Sequence, residues 1–163
     1  MNQPLRLLAL SLMTALTVGL TACATGPAPA PLADTLSRDA RLSTFNRLVA
    51  EAGLQDTLRG TGPLTVFAPS DEAFKAVPAK TMEALTKDKA QLKAVLSFHI
   101  ATGKLSAADI QNGTAKSLQG ASLTTSRTGT FVGVEDALVQ QADITATNGV
   151  AHVIDRVLTP PKK

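Results

Sequence analysis

The stretch TVFAPSDEAF at residues 65–74 is the feature that most constrains the fold. Val66 and Phe67 are β-branched and aromatic residues, which favour a half-buried strand. Pro69 has no backbone N–H and biases the preceding residue away from helix, so the strand must end there. Ser70 is then placed to cap a helix by accepting a hydrogen bond from a backbone N–H. The stretch predicts a strand, a sharp corner and a capped helix, and none of these requires a catalytic group.

The same ten residues resemble the first signature of the fasciclin (FAS1) domain family, usually written TVFAP(T/S)DEAF. Residues 148–160 read NGVAHVIDRVLTP and resemble the second signature, NGVxHVIDxVLxP. Between them, Phe98-His99-Ile100 lies where the family commonly has Tyr-His-Val, so Phe98 lacks a hydroxyl that relatives carry. The resemblance covers roughly residues 31–161. The motif positions that it implies to be structural are Thr65, Phe67, Pro69, Asp71, Phe74, His99, Gly149, His152 and Asp155.

The sequence pattern is helical in its first half and strand-like in its second half. One apolar stripe recurs at helical spacing and ends at Gly53: Leu42, Phe45, Leu48, Val49 and Ala52. Two further helices are predicted around residues 81–85 and 88–97. Strands are predicted at 64–67, 114–118, 122–126, 130–134, 137–145 and 150–158, separated by turn residues. The pattern predicts an α+β fold, and the resemblance implies a fasciclin-like two-sheet β wedge flanked by several short helices.

Residues 1–22 have the pattern of a bacterial lipoprotein signal peptide, which is removed. Its apolar run, residues 7–20, is short of the roughly 20 residues that span a bilayer. The run ends in Leu-Thr-Ala-Cys, which is similar to a lipobox with cleavage before Cys23. Cys23 is the only cysteine and has no partner for an internal disulfide. We expect lipid on Cys23, an Ala/Pro-rich tether over residues 23–31 and the FAS1 domain at 32–161. An ordinary secretory signal with a free cysteine is the alternative.

The residue after the expected lipid site bears on localisation. Ala24 stands where an aspartate commonly marks retention in the inner membrane of Gram-negative cells. The resemblance to lipoproteins therefore implies the cell envelope and the outer membrane, on its periplasmic side or at the cell surface. The formal net charge is +3 and the basic residues are scattered, so the sequence does not predict nucleic-acid binding.

Two histidines, His99 and His152, are the candidates for a general base. A hydrolase would need one of them to act on an exposed nucleophile such as Ser70. Ser70 is already explained as a helix cap, and no Gly-x-Ser-x-Gly elbow is present. Too few His and Cys residues are available for a typical zinc site. The sequence predicts a non-catalytic protein with no cofactor and no metal, in which both histidines satisfy structural hydrogen bonds.

The motif carboxylates are also explained without chemistry. Asp71 and Glu72 would complement the helix dipole at the start of their own helix, and Asp155 would be a structural hydrogen-bonding partner. We expect Asp71, His99 and the second-signature strand to meet in space. In animal fasciclin proteins an Asp-Ile pair has been linked to integrin binding, and the resemblance places Asp109-Ile110 near that position.

The leading functional hypothesis is an adhesion or protein-interaction module held to the membrane through lipid on Cys23. Its partner would be an unknown protein or polysaccharide, and homo-oligomers are possible. The alternative is a carrier of a small apolar ligand in a crevice between the wedge and the helices, and a hydrolase using His99 or His152 is a third hypothesis. The chain has five Phe and no Trp or Tyr. With most of the Phe residues assigned to the core, the sequence predicts no aromatic hot spot.

Overall fold

The computed structural model describes residues 28–161. The expected signal peptide, Cys23 and most of the tether lie outside these residues. The described part contains six α-helices, a 3₁₀ turn and seven strands. The helices are α1 Leu32–Ser37, α2 Ser43–Glu51, α3 Gln55–Arg59, α4 Asp71–Lys75, α5 Ala79–Lys87 and α6 Lys89–Phe98, with the 3₁₀ turn at Ala40–Leu42. The strands are β1 Leu64–Pro69, β2 Ile100–Thr102, β3 Gly113–Lys116, β4 Ser122–Thr128, β5 Phe131–Val134, β6 Ala137–Ala146 and β7 Gly149–Ile154.

The two signature stretches lie side by side as parallel strands. β1 pairs with β7 over six positions, from Leu64 opposite Gly149 to Pro69 opposite Ile154. Every residue of both strands is buried, as expected for a parallel pair that is covered on both faces. The first signature turns its corner as predicted, because Ser70 Oγ accepts a hydrogen bond from the Ala73 N–H at 3.3 Å.

The strands follow one another in the order β2-β1-β7-β6-β5-β4-β3. β6 has register shifts between Val139 and Ile144 and is shared by the two halves of the sheet, which gives the expected wedge. At its open side, Ala101 of β2 bridges Ser117 just after β3. The bridge brings the two edge strands together at this point, which leaves less of each edge free to pair with other chains.

β1 separates two hydrophobic cores, because successive residues of a strand point to opposite faces. Val66 and Ala68 pack with the helices, whereas Phe67 points into the wedge. The helical core contains Phe45, Leu48, Leu92, Leu96 and Val153. The wedge core contains Phe98, Ile110, Leu123, Val134 and Ile154. The α+β prediction is confirmed, and the two signatures form the wall between the cores.

The structure differs from the sequence prediction in three places. β2 was not predicted, since it is a three-residue strand with no turn residue ahead of it. β7 ends at Ile154, and after Asp155 the chain turns towards His99, whose Nε2 accepts the Leu158 N–H. Ala30 was assigned to the tether, but it is buried and its carbonyl accepts a hydrogen bond from the Thr147 N–H at 2.9 Å.

Asn148 joins the start of α1 and the end of α3 to the second signature. Its Oδ1 accepts the Leu32 N–H at 2.8 Å, in the first turn of α1. Its Nδ2 donates to the carbonyls of Leu58 and Gly60 at 2.9 and 2.8 Å, where α3 ends. The sequence had indicated only a turn at this residue. Asn148 in fact provides the acceptor that one helix start needs and the donors that another helix end needs.

Gly149 follows Asn148 and must be a glycine for lack of space. A Cβ at this position would lie 2.0 Å from the Leu64 carbonyl oxygen and 2.9 Å from Leu32 Cδ1. Any side chain would therefore push β7 away from β1. The close approach of the two signature strands depends on this residue.

We expect Asn148→Ala to lower the free energy of unfolding by about 2–3 kcal/mol. Three side-chain hydrogen bonds are lost, each worth about 1 kcal/mol, and the backbone groups that they satisfied are left partly buried. Urea unfolding of the full chain measures the change. Asn112→Ala is the matched control, because its Oδ1 accepts one exposed hydrogen bond from Arg127. A loss for Asn148→Ala no larger than that for the control would contradict this role.

Candidate interaction surfaces

His99 connects the two signatures from the end of α6. Its ring is buried, Nδ1 donates to the Val95 carbonyl at 2.8 Å, and Nε2 accepts the Leu158 N–H at 2.9 Å. Its own carbonyl accepts the Phe67 N–H at 2.8 Å. Because a carbonyl only accepts and an amide only donates, these partners fix the neutral Nδ1–H tautomer. Burial lowers the pKa of His99 to about 4, so the ring is neutral at pH 7.

His152 occupies the equivalent position on the other side of β1 with the opposite tautomer. Its Nε2 donates to the Leu105 carbonyl at 2.8 Å, and its Nδ1 accepts the Asp143 N–H at 3.2 Å. The ring stacks on Phe67 with ring centroids 5.5 Å apart. Burial lowers the pKa of His152 below its ordinary value.

Neither histidine has a ring nitrogen free to act as a general base. Both nitrogens of His99 and both nitrogens of His152 are hydrogen bonded to backbone groups. The Ser70 hydroxyl is used in capping α4. The geometry that a hydrolase would need is thus not formed by the residues that the sequence offered for it.

Asp71 lies in the first turn of α4 as predicted, and its carboxylate also bonds to a second helix. Its carboxylate accepts the Ser43 hydroxyl at 2.7 Å and the Thr44 N–H at 2.8 Å. α2 has Leu42 before its first residue, which offers no side-chain acceptor, so Asp71 caps α2 from α4. Burial alone would raise the pKa of Asp71, but the hydrogen bonds from Ser43 and Thr44 outweigh it and the pKa is lowered.

We expected Asp71, His99 and the second-signature strand to meet. His99 contacts both signatures directly, whereas Asp71 reaches this point only through α2. His99 contacts the first signature at Phe67 and the second signature at Leu158. Asp71 is bonded to α2, where the Phe45 ring centroid lies 6.5 Å from that of His99. Three separate elements meet at His99, and Asp71 holds the helix that packs beside it.

The remaining motif residues also bond within the fold. Thr65 Oγ1 donates to the Gly103 carbonyl at 2.7 Å and accepts the Leu105 N–H at 2.9 Å. Asp155 accepts the Leu138 N–H at 2.8 Å and so prolongs the pairing of β6 with the chain after β7. The motif side chains Phe67 and Phe74, and also Phe98 with its missing hydroxyl, are buried.

Asp109 and Ile110 do not form an exposed pair. The Ile110 side chain is 2% exposed and packs in the wedge core. The Asp109 carboxylate accepts hydrogen bonds from the hydroxyl and N–H of Ser106. The hydrogen bonds from Ser106 lower the pKa of Asp109. The Asp109-Ile110 pair that the resemblance suggested is used to fold its own loop.

The exposed surface of β4, β5 and β6 carries two of the three large apolar side chains that are exposed within residues 28–161. Phe131 is 68% exposed and Leu138 is 52% exposed. Phe131 lies two residues before Gly133, which pairs with Leu138 across the strands, so both side chains point to the same side of the sheet. We call this surface, formed by the outward residues of β4, β5 and β6, the outer sheet face. Sequence reasoning assigned most of the Phe residues to the core and missed Phe131.

A second surface feature is an apolar groove between α5, α6 and the C-terminal segment. Its volume is about 290 Å³. The lining residues are mostly apolar: Val77, Thr81, Ala84, Leu85, Gln91, Ala94, Val95, Val157, Thr159 and Pro160. We call it the α5–α6 groove. Ala84 of α5 and Ala94 of α6 have small side chains, which leaves space between the two helices.

Residues 28–161 lack two further features. This part of the chain has no helix that is long and apolar enough to cross a membrane. Nor does it bring three or more His, Cys, Asp or Glu residues together as ligands for a metal ion.

The buried histidines predict a loss of stability in mild acid. His99 has a pKa of about 4 in the folded state and 6.5 as its ordinary value. The neutral ring therefore contributes its full share to the free energy of unfolding above pH 6.5. Between pH 6.5 and pH 4 the free energy of unfolding falls by about 3 kcal/mol, because only the unfolded chain binds a proton at His99 in this range. Urea unfolding between pH 7.5 and pH 4.5 measures this change.

The control for this prediction is His99→Gln, which removes the titrating ring. The variant is less stable than the parent at pH 7.5, but its stability falls less steeply from pH 6.5 to pH 4.5. The stability of the variant still falls with decreasing pH, with a smaller slope than that of the parent, because the pKa of His152 is also lowered. Carboxylates with lowered pKa values, such as Asp71, lose their contribution only below about pH 4. An identical slope in parent and variant would contradict the assignment.

Comparison with known proteins agrees with the sequence resemblance. The fasciclin domain family matches residues 40–160. Protein sll1483 of Synechocystis is 45% identical over 123 residues, which cover 72% of this chain and 68% of that protein. The cell surface glycolipoprotein MPB83 of Mycobacterium bovis is 36% identical over 141 residues, which cover 83% of this chain and 63% of that protein.

A solved structure shows the same fold. A FAS1 domain pair from the insect cell adhesion molecule Fasciclin I superimposes with a TM-score of 0.65 at 19% identity, covering 80% of this chain and 51% of that chain. Its flanking short helices and wedge-shaped sheet correspond to those described above. The parallel signature strands, the matching fold and the matched residues 40–160 establish that this chain belongs to the fasciclin (FAS1) domain family.

Proposed function

We propose that this chain is a lipid-anchored, non-catalytic adhesion module of the bacterial envelope that contacts its partner through the outer sheet face. The observation that carries the proposal is the exposure of Phe131 and Leu138 on one side of the sheet. Exposed apolar groups that lie together on a soluble domain are typical of interaction sites. Relatives in the fasciclin family point to adhesion or protein interaction as the general role, and Fasciclin I is described as a cell adhesion molecule.

The anchor in this proposal is lipid on Cys23. Four residues separate Cys23 from Ala28, where the described residues begin, so the domain would lie close to the bilayer. Several acyl chains on one cysteine would hold it stably, since each buried CH₂ contributes about 0.8 kcal/mol. Support comes from MPB83, whose name describes a cell surface glycolipoprotein. The outer membrane is the proposed location.

The absence of a catalytic role is proposed from the use of the polar motif groups. The ring nitrogens of His99 and His152 are bonded to backbone groups, and Asp71 caps a helix. A catalytic base or nucleophile must be free to reach its substrate. These groups stabilise the fold instead.

A second candidate function is the carriage of a small apolar ligand in the α5–α6 groove. At about 290 Å³ the groove lies near the lower limit of typical ligand pockets, and its mostly apolar lining is typical of them. The adhesion proposal is preferred because the groove is small and has few converging polar groups to orient a ligand.

The adhesion proposal predicts separate effects for the anchor and for the face. Cys23→Ala should release the full chain from the membrane fraction and remove the lipid mass, measured by cell fractionation and mass spectrometry. The double variant Phe131→Ser/Leu138→Ser should remain in the membrane fraction, but cells that display it should lose most of their adhesion to an envelope-coated surface. Because both side chains are more than half exposed, the double variant should fold normally.

Leu118→Ser is the matched control for the double variant, because Leu118 is exposed (39%) and lies outside the outer sheet face. It should keep parental adhesion. Adhesion that survives Phe131→Ser/Leu138→Ser would contradict the role of the face. Membrane association and mass that are unchanged by Cys23→Ala would contradict the lipid anchor.

The carrier candidate predicts that filling the α5–α6 groove weakens binding of an apolar probe. A naphthalene sulfonate dye is titrated into the full chain and its fluorescence is followed. Ala94→Leu should weaken binding at least tenfold, or about 1.4 kcal/mol, because the larger side chain occupies the groove. Ala79→Leu, at the exposed start of α5, should have no effect. Equal binding by parent and Ala94→Leu would rule out the groove as the site.

A further inference from the structure

The outer sheet face is uncharged over a large part of the exposed sheet. The alternation of exposed and buried residues in β4 and the register of β5 and β6 identify its outward side chains. They are Ser122, Thr124, Ser126, Thr128, Phe131, Leu138 and Gln140. None of these carries a charge, whereas about a quarter to a third of a typical surface is charged. A neutral surface of this kind is suited to a neutral partner.

The hydroxyl groups of this face are available for a ligand. The Thr124, Ser126 and Thr128 hydroxyls have no hydrogen-bond partner within residues 28–161, in contrast to the inward Thr125, whose Oγ1 donates to the Gln111 carbonyl at 2.8 Å. Alternate residues of a strand lie about 6.8 Å apart. β4 therefore presents a straight row of three hydroxyl groups, each of which can donate and accept a hydrogen bond. The row is about as long as a short oligosaccharide.

The apolar groups lie beside this hydroxyl row. Phe131 is opposite Thr128, and Gly133 lies between Ser126 and Leu138 across the strands. Gly133 has no side chain, so the sheet surface beside Phe131 is flat at this position. A Cβ at Gly133 would lie 2.6 Å from Ser126 Oγ. An exposed aromatic ring has a negative face that attracts the polarised C–H groups of a sugar. The row and the ring together can contact both the hydroxyls and the C–H face of a pyranose.

Three charged residues near the face are engaged with the backbone, whereas Lys116 of β3 lies exposed opposite Ser122 at one corner of the face. The Arg127 guanidinium donates to the Ala107 carbonyl at 2.7 Å. The Glu135 carboxylate accepts the Thr124 N–H at 2.5 Å, and that of Asp155 accepts the Leu138 N–H at 2.8 Å. These three groups are directed to the protein, so away from the Lys116 corner and the turn after β5 the face offers no charged anchor for an acidic glycan.

Self-association fits this face less well. The core of a homodimer interface is about 65% apolar, whereas five of the seven outward side chains here are hydroxyls or an amide. Burying the unpartnered hydroxyls against an apolar surface would leave them unsatisfied, at a cost of about 1–3 kcal/mol each. A sugar chain can supply a hydrogen-bonding group for each of them.

We infer that the outer sheet face binds a neutral polysaccharide, with Phe131 stacking on a sugar ring and the β4 hydroxyls bonding its hydroxyl groups. This inference rests on the proposed adhesion function and names the chemical class of its partner. Leu138 and Gln140 extend the contact along β6.

The test measures binding of the full chain to neutral polysaccharides, with microcrystalline cellulose, chitin and soluble galactan as probes and alginate as the acidic comparison. Phe131→Ala should weaken binding to at least one neutral probe tenfold or more, and Thr128→Val should weaken it several-fold. Leu118→Ala should stay within twofold of the parent. Binding should be the same in 0.1 M and 1 M salt, because no charge pair contributes. A thermal melt of each variant verifies that it is folded.

Several outcomes would overturn the inference. They are binding to alginate alone that fades with salt, neutral binding that Phe131→Ala leaves unchanged, and no binding to any neutral probe. Dimers of the parent that become monomers in Phe131→Ala would assign the face to self-association instead. Phe131-dependent adhesion to protein-coated surfaces, without binding to polysaccharides, would retain the adhesion function and reject the sugar. Adhesion that does not depend on Phe131 would reject both.

Discussion

The parallel pairing of β1 with β7 is the constraint on which the rest of the structure depends. Parallel strands cannot be joined by a tight hairpin, and here the whole of α4 to β6 separates them along the chain. Their contact must therefore be specified by side chains. Gly149 lets the backbones approach, Asn148 fixes the two helix ends beside them, and the neutral rings of His99 and His152 bond to backbone groups on either side of β1.

This arrangement explains why the most distinctive residues of the chain are unavailable for binding. A buried imidazole that accepts from one amide and donates to one carbonyl has no capacity left. The same holds for Thr65, whose hydroxyl both donates and accepts in bonding to the 103–105 segment. The signature residues specify the fold, and the outer sheet face, which we propose as the contact surface, contains residues of neither signature.

The sequence predicted the fold more fully than the site. The Pro69 corner, the Ser70 cap and the strands from residue 113 onward follow from local chemistry, and the family signatures indicated the wedge. Contacts between distant residues could not be read locally: Asp71 lies in the first turn of its own helix as predicted but also caps α2, and Asn148 looked like a turn residue. Phe131 was missed because a lone aromatic next to a turn does not reveal which face of its strand will be covered. The neutrality of the outer face became visible only when the register of β4, β5 and β6 was known.

Native-state hydrogen exchange on the full chain at pH 7 tests most directly whether the signature pairing is the central constraint. The amide of Ser70, which bonds to the Ile154 carbonyl, and those of Phe67 and Leu158, which both bond to His99, should exchange only through global unfolding, with a free energy equal to that from urea unfolding. The amides of β4 and β5 should exchange with an equal or lower free energy. Exchange of the Phe67 and Leu158 amides at a lower free energy than those of β4 would contradict the account, because the wedge would then persist after the signatures had separated.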